Sequence, residues 1–292
     1  MALEGSIFAA LLTPFDDDGG IRIDLIPGLV DYILSKGVHG LYVGGSTGEA
    51  MMQSREERIY HLEAVADYAR GRCTLVAHVG AASTEDSAAL SKVAKSAEYQ
   101  AVSAVPPYYY KHSFDDVADH YMAIADAAEL PVIIYNIPDL SGTDFSTDRL
   151  LQLMNDDRIA GTKFTARDLF QFQQLRVRAP GKKFYFGTDE MFLGASAVGT
   201  DGGIGSTYNL IGDVFLGIEA SVEKGDMPTA RRLQYKANEL VAILLRTGVV
   251  PGLKYALAKI GVPVGPCRQP FSAPGDKASA LLDRWLSENG YL

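Results

Sequence analysis

The chain has 292 residues, 47% hydrophobic and 22% charged, an ordinary globular composition that excludes a disordered polypeptide. Its net charge of −9 argues against a nucleic-acid partner, because phosphate binding needs clustered lysine and arginine. An anionic ligand must then be held by a local device, such as a lysine or a helix N-terminus.

Other classes fall away on patterning. No window reaches the roughly 18–20 apolar residues of a membrane span. The opening "MALEGSIFAALLTPFDDDGG" lacks the basic start and long apolar core of a secretory signal. A cytoplasmic protein with no membrane partner is the expectation. Cys73 and Cys267 form no CxxC pair and read as reduced thiols. The five histidines (39, 61, 78, 112 and 120) show no metal-ligand spacing, so no metal is expected.

Along the chain, short apolar runs alternate with helical stretches. Strands are predicted at 7–12, 40–43, 74–79, 101–105, 131–136, 159–164, 183–187 and 202–206. Most read apolar throughout, as parallel strands covered on both faces do. The stretch 54–69 opens with Ser54 and Glu57, a capping-box pattern. Ile59, Leu62, Ala66 and Ala69 then share one helix face. Stretches 83–98 and 114–129 behave alike. Eightfold alternation predicts a (β/α)₈ TIM barrel, whereas an open Rossmann sheet lacks its GxGxxG.

From about Ile211 to Leu292 the pattern is helical, with predicted helices at 226–247, 251–261 and 277–288. Pro251 and Gly261 punctuate the middle one. A barrel needs only about 250 residues, so the tail is an extension. We divide the chain into 1–210, the barrel strands and sites, and 211–292, the last barrel helix and a C-terminal helical extension. Together they form one structural domain.

Barrel active sites lie where the strands end. The segments there are "GGSTGE" (44–49), "PPYYYK" (106–111), Tyr135-Asn136, Lys163 with Thr165, "GTDE" (187–190) and "GSTYN" (205–209). Such polar convergence favours a small-molecule site. "GGSTGE" is either a plain tight turn or an anion cradle in which backbone N–H groups and the Ser46 and Thr47 hydroxyls meet a carboxylate. It is not a P-loop, since no lysine follows its last glycine. Tyr135 is either a packing aromatic or a proton relay. The tyrosines 108–110 are ambiguous too, though aromatic loops often pack at subunit contacts, where tyrosine is enriched. Lys163 is either a solvated strand terminus or an amine in the mouth, where apolar walls disfavour its charge. A neutral amine there attacks a ketone, and the iminium draws electrons from the adjacent bond. The other lysines, such as Lys92, Lys95, Lys224 and Lys236, read as solvated.

With these residues collected, the chain resembles the N-acetylneuraminate lyase / dihydrodipicolinate synthase superfamily of Schiff-base aldolases. The resemblance spans about residues 5–290. It rests on "LLTPF" (11–15), "GGSTGE" (44–49), "YNIP" (135–138), "GTKFT" (161–165) and "GGIGSTYN" (202–209), in order and at barrel spacing. The lyase branch is the nearer match. Dihydrodipicolinate synthases usually carry an arginine at the position of Leu140 and Lys-Glu where this chain has Lys163-Phe164. Pro106 departs from the pattern, because relatives tend to have a relay threonine there. Thr188 replaces a commonly larger residue.

The resemblance implies a reversible cleavage of N-acetylneuraminate to N-acetylmannosamine and pyruvate, with Lys163 as the Schiff-base amine. Tyr135 and Tyr109 would be catalytic, the latter reaching into a neighbouring subunit of a homotetramer. Ser46 and Thr47 would hold the pyruvyl carboxylate. Thr165, Gly187, Asp189, Glu190 and Ser206 would bind sugar hydroxyls. No cofactor is implied beyond the covalent Schiff base. The alternative is another pyruvate-dependent aldolase, either one for a 2-keto-3-deoxy sugar acid or a dihydrodipicolinate synthase. A catalytically silent binding barrel is a third class. Thr165 should point to the same side as Lys163, and Phe164 should point away into the barrel–helix layer.

Overall fold

The structure, a computed structural model, describes residues 3–292. Met1 and Ala2, the first two residues of the stretch read for a secretory signal, lie outside the described residues. Eight parallel strands close into a barrel in chain order: β1 (Ile7–Ala10), β2 (Gly40–Val43), β3 (Thr74–His78), β4 (Ala101–Ala104), β5 (Val132–Asn136), β6 (Ile159–Phe164), β7 (Lys183–Phe186) and β8 (Gly202–Gly205). Strand β8 pairs with β1, through Phe8 and Ile204 among others. Each falls inside its predicted window: β2 and β6 fill theirs, β5 starts one residue later, and the other five end one or two residues early, where the chain leaves the ladder. At Leu12, for example, the backbone N–H donates to the Asn209 side chain, 3.2 Å away.

The apolar strands serve two layers. Phe8, Tyr42, Val76, Ile133, Tyr185 and Ile204 fill the barrel interior. Their strand neighbours, such as Ile7, Leu41, Leu75, Val132 and Phe184, pack outward against helices. Burial on both faces is why these strands read as continuous apolar runs.

Strand β6 breaks the alternation once. Val132 pairs with Ile159, but Ile133 pairs with Gly161, so Ala160 is an extra residue. Both Ile159 and Phe164 pack in the outer layer. Five residues apart, they would face opposite ways in an unbroken pleat. The bulge corrects the phase and leaves Lys163 facing inward, opposite Tyr135. Gly161 permits it: its φ is +153°, and a Cβ there would lie 1.8 Å from the Lys183 carbonyl oxygen.

Among the described residues, twelve α-helices surround the barrel and follow it: α1 (Ile26–Ser35), α2 (Arg55–Ala69), α3 (Thr84–Ser96), α4 (Phe114–Ala128), α5 (Pro138–Ser141), α6 (Thr147–Met154), α7 (Leu169–Arg178), α8 (Phe192–Ala197), α9 (Tyr208–Glu223), α10 (Met227–Thr247), α11 (Val249–Lys259) and α12 (Asp276–Glu288). The Ser54–Glu57 capping box is formed in both directions. On α2, Leu62, Ala66 and Ala69 are buried as expected, Ile59 is half-buried, and Arg58, His61 and Val65 join the buried face.

The tail differs from its all-helical reading. Residues 260–275 are irregular, because Gly261, Pro263, Gly265, Pro266, Pro270, Pro274 and Gly275 break helical hydrogen bonding. Helix α11 begins at Val249, two residues ahead of Pro251, which fits a first turn whose N–H groups need no helical partner. Among the described residues no single helix is long and apolar enough to cross a membrane.

The irregular segment is tied to the barrel mouth by charge. Lys254 Nζ lies 2.7 Å from Glu49 Oε1, with both side chains buried. The Arg268 N–H donates to Glu49 Oε2 at 2.8 Å, and its guanidinium reaches Glu57 and the Met52 carbonyl. The reading of the remaining lysines as solvated therefore fails at Lys254. Lys92, Lys95 and Lys224 are exposed, and Lys236 is half-buried over the Trp285 and Tyr291 rings. Removing one partner of a buried ion pair strands the other. Lys254→Met is expected to cost about 3–5 kcal/mol in urea denaturation; a loss below about 1 kcal/mol, the scale of a surface pair, would show the pair to be dispensable.

Candidate active site

Lys163 is 4% exposed. Its Nζ lies 4.0 Å from the centroid of the Tyr135 ring and 4.4 Å from that of Tyr42. Among the described residues no carboxylate pairs with it within salt-bridge distance. The amine is thus held between two aromatic faces and not at a solvated strand end. The Tyr42 hydroxyl donates to Ser103 Oγ at 3.0 Å, and Ser103 donates to the Ile133 carbonyl at 2.9 Å. Tyr42 is therefore a fixed wall, its hydroxyl already committed. Tyr135 meets Tyr42 edge-on at 6.0 Å.

The "GGSTGE" segment forms one tight turn, a single 3₁₀ turn at Ser46–Gly48, ending at Glu49 in left-handed backbone with φ 59°. Thr47 Oγ1 sits 2.6 Å from Ser206 Oγ, so the β2 and β8 loops meet across the mouth. Ser46 lines an adjoining cavity of about 350 Å³ with Val105, Tyr108, Ile137, Leu140 and Phe271. A larger cavity of about 1060 Å³ lies beneath the 263–274 segment, lined by Asp16, Tyr255 and Arg268 among others. Neither cavity is lined by Lys163 or Tyr135.

On the opposite side, Asp189 is buried. Its Oδ2 accepts from the Thr207 N–H at 2.9 Å and the Thr207 hydroxyl at 2.7 Å, while Oδ1 has no partner. Burial raises the Asp189 carboxyl to about 6, against the opposing pull of the Thr207 donors. Thr165 Oγ1 is likewise buried and unpaired. A Cβ on Gly187 would lie 2.0 Å from Thr165 Oγ1 and 3.2 Å from Lys163 Cε, so all three share one small space. Unpaired buried polar atoms cost about 1–3 kcal/mol each. Both oxygens are therefore free to bond polar groups of a ligand. Glu190 is half-buried next to Asp189.

Tyr109 lies elsewhere. It is 87% exposed, its φ is +81°, and its ring meets Tyr110 edge-on at 5.0 Å. Within one chain it takes no part in the buried cluster around Lys163. Tyr108 instead packs against the barrel interior. Phe164 joins the outer layer with Phe172 and Phe186, as expected.

Four residues of the site escaped the sequence reading: Tyr42, Ser103, His78 and Thr207. The first three lie inside predicted strands, where alternation from Leu41, Val76 or Val102 assigns their facing. Thr207 lies inside a quoted motif. Among the described residues no group of three or more His, Cys, Asp or Glu side chains is placed to hold a metal.

Fold and site together define a (β/α)₈-barrel enzyme whose mouth is built around an inward-facing strand-end lysine. The chain belongs to the dihydrodipicolinate synthetase family, whose model matches residues 3–288. It is 45% identical to the N-acetylneuraminate lyase of Rhizobium meliloti (strain 1021) over 93% of this chain and 90% of that one. It is 43% identical to the N-acetylneuraminate lyase of Citrobacter koseri over 97% and 98%. Its structure is similar to that of CdNal from Clostridium difficile in complex with mannosamine, at TM-score 0.95 and 33% identity, covering 97% of this chain and 98% of that one.

Proposed function

We propose that the chain cleaves N-acetylneuraminate reversibly to N-acetylmannosamine and pyruvate through a Schiff base on Lys163. The observation that carries this reading is the buried lysine between Tyr42 and Tyr135, with the unpaired Thr165 oxygen sharing its space and an unpaired Asp189 oxygen at the end of β7. The lyase relatives supply the substrate class.

The Lys163 amine attacks the C2 ketone of the open-chain sugar, and water leaves to give the iminium. The C3–C4 bond then breaks, and its electron pair moves into the iminium to form an enamine. The C4 hydroxyl becomes the aldehyde of N-acetylmannosamine, and its proton is relayed by Tyr135, which takes it up as it passes its own hydroxyl proton to the substrate carboxylate. Tyr135 returns a proton to C3, and hydrolysis of the resulting iminium releases pyruvate and the free amine. Ser46 and Thr47 hold the carboxylate, with Ser206 bracing Thr47. Thr165, Gly187, Asp189, Glu190 and Ser206 receive the polyol. The lysine is itself the electron sink, so the reaction calls for no metal or organic cofactor.

Leu140 stands exposed at the rim of the cavity that Ser46 lines. It has no donor for a second carboxylate, which favours a sugar acid over a dicarboxylate. The exposed Tyr109–Tyr110 pair suits contact with another copy, in keeping with a cytoplasmic homotetramer in which Tyr109 completes a neighbour's site.

A substrate panel with pyruvate release as readout tests the reading. N-acetylneuraminate is expected to exceed any 2-keto-3-deoxy sugar acid by at least about tenfold in kcat/KM, the scale of differential contacts in one pocket. Faster turnover of the simpler sugar acid, or dihydrodipicolinate synthase activity, would replace the substrate. A pyruvate adduct with no turnover of any member would make the barrel a binding protein.

A further inference from the structure

His78, at the end of β3, is fully buried in the barrel interior. Its ring lies 5.9 Å from those of both Tyr42 and Tyr135, edge-on to the latter. Nδ1 is 2.9 Å from the Gly44 carbonyl oxygen. A carbonyl can only accept, so Nδ1 carries the proton and Nε2 is left as an acceptor, buried and without a partner. Burial, then Arg58, then Lys163 hold the imidazole neutral.

The Gly44 carbonyl is one end of a peptide plane whose other end is the Gly45 N–H. Gly45 leads directly into the Ser46–Gly48 turn. The far end of that turn is well anchored. The Gly48 carbonyl accepts from Thr13 and from Gln53, each at 2.7 Å, and Glu49 is paired with Lys254. At the near end the Gly44 carbonyl meets His78. His78 is itself braced from α2, since Arg58 donates to the His78 carbonyl at 2.9 Å and to that of Gly80 at 3.0 Å. One chain of contacts thus runs from α2 through β3 to the turn carrying Ser46 and Thr47, passing beside the two rings that hold Lys163.

We propose that His78 is a positioning residue: its Nδ1–H fixes the Gly44–Gly45 peptide and thereby aims the Ser46–Thr47 turn at the carboxylate of the ketoacid bound on Lys163. The proposal rests on the functional reading above. It concerns binding of the ketoacid more than bond cleavage, so its signature is a shift in half-saturation.

The test is the pyruvate dependence of borohydride-trapped adduct, read by intact mass, in wild type, His78→Leu, His78→Asn and His78→Gln, with circular dichroism to confirm folding. An asparagine amide can place an N–H where Nδ1 stood; a glutamine amide is displaced by one methylene. His78→Leu is expected to raise half-saturating pyruvate about tenfold, the factor for one lost buried hydrogen bond, with full labelling at saturation. His78→Asn is expected to recover most of that loss and His78→Gln little of it. Wild-type half-saturation in His78→Leu, or an asparagine variant no better than the glutamine one, overturns the proposal. Should His78→Leu not fold, the asparagine–glutamine comparison decides alone. A wild-type chain that traps no pyruvate overturns the functional reading and this inference with it. Trapping by the wild type with an unaltered His78→Leu overturns this inference alone.

Discussion

Lys163→Ala is expected to trap no pyruvate on borohydride reduction and to lose roughly 10⁴- to 10⁶-fold in cleavage, the scale on which enzymes lose activity with a covalent nucleophile. Among the described residues, Lys163 is the one amine enclosed by the Tyr42 and Tyr135 faces, and Lys254, the other buried lysine, is committed to Glu49. No carboxylate pairs with Lys163 among the described residues, so its removal strands no buried charge and the variant should fold. Activity loss in a folded chain can then be assigned to chemistry. Intact mass after reduction reads the adduct, and pyruvate release reads turnover. An adduct that survives in Lys163→Ala would move the Schiff base elsewhere and sink the mechanism.

Tyr135→Phe is expected to separate two roles of one side chain. The ring face that packs 4.0 Å from Lys163 Nζ remains, so trapping with pyruvate should persist. The hydroxyl is lost, so kcat for cleavage should fall roughly 10²- to 10⁴-fold, the usual contribution of a positioned acid–base group. Tyr135 is suited to this split because it belongs to the interior cluster through its ring. Tyr42 offers the structural contrast, since its hydroxyl is already donated to Ser103. Steady-state kinetics alongside the trapping assay checks both halves. A near wild-type kcat would remove Tyr135 from the proton path.

The barrel was legible because burial on both faces gives parallel strands a composition that little else shares. The strand ends followed, and with them the neighbourhood of Lys163, Thr165, Asp189 and Ser206. Facing within a strand was harder to read. Tyr42 and His78 line the interior because of pleat parity, which a run of apolar letters hides. The Lys254–Glu49 pair was out of reach for another reason: its partners lie on α11 and the β2 loop, and only folding brings them together. The 260–275 segment escapes a sequence reading because its helical flanks outweigh its prolines and glycines. Tyr109 shows a different boundary, since one chain displays it outward and its expected place is in another copy.

The extra residue in β6 carries a consequence for how this site can change over time. A strand has two phases, and Ala160 selects the one that turns Lys163 toward the mouth. Losing one residue between Ile159 and Lys163 would exchange the amine with Phe164, sending a charge into the helix layer and a benzyl group into the pocket. Almost every letter would be kept, yet the reagent would be gone. Inheritance of activity in such a barrel thus depends on spacing as strictly as on identity, and a relative that keeps the lysine but not the bulge would hold a silent copy of the site.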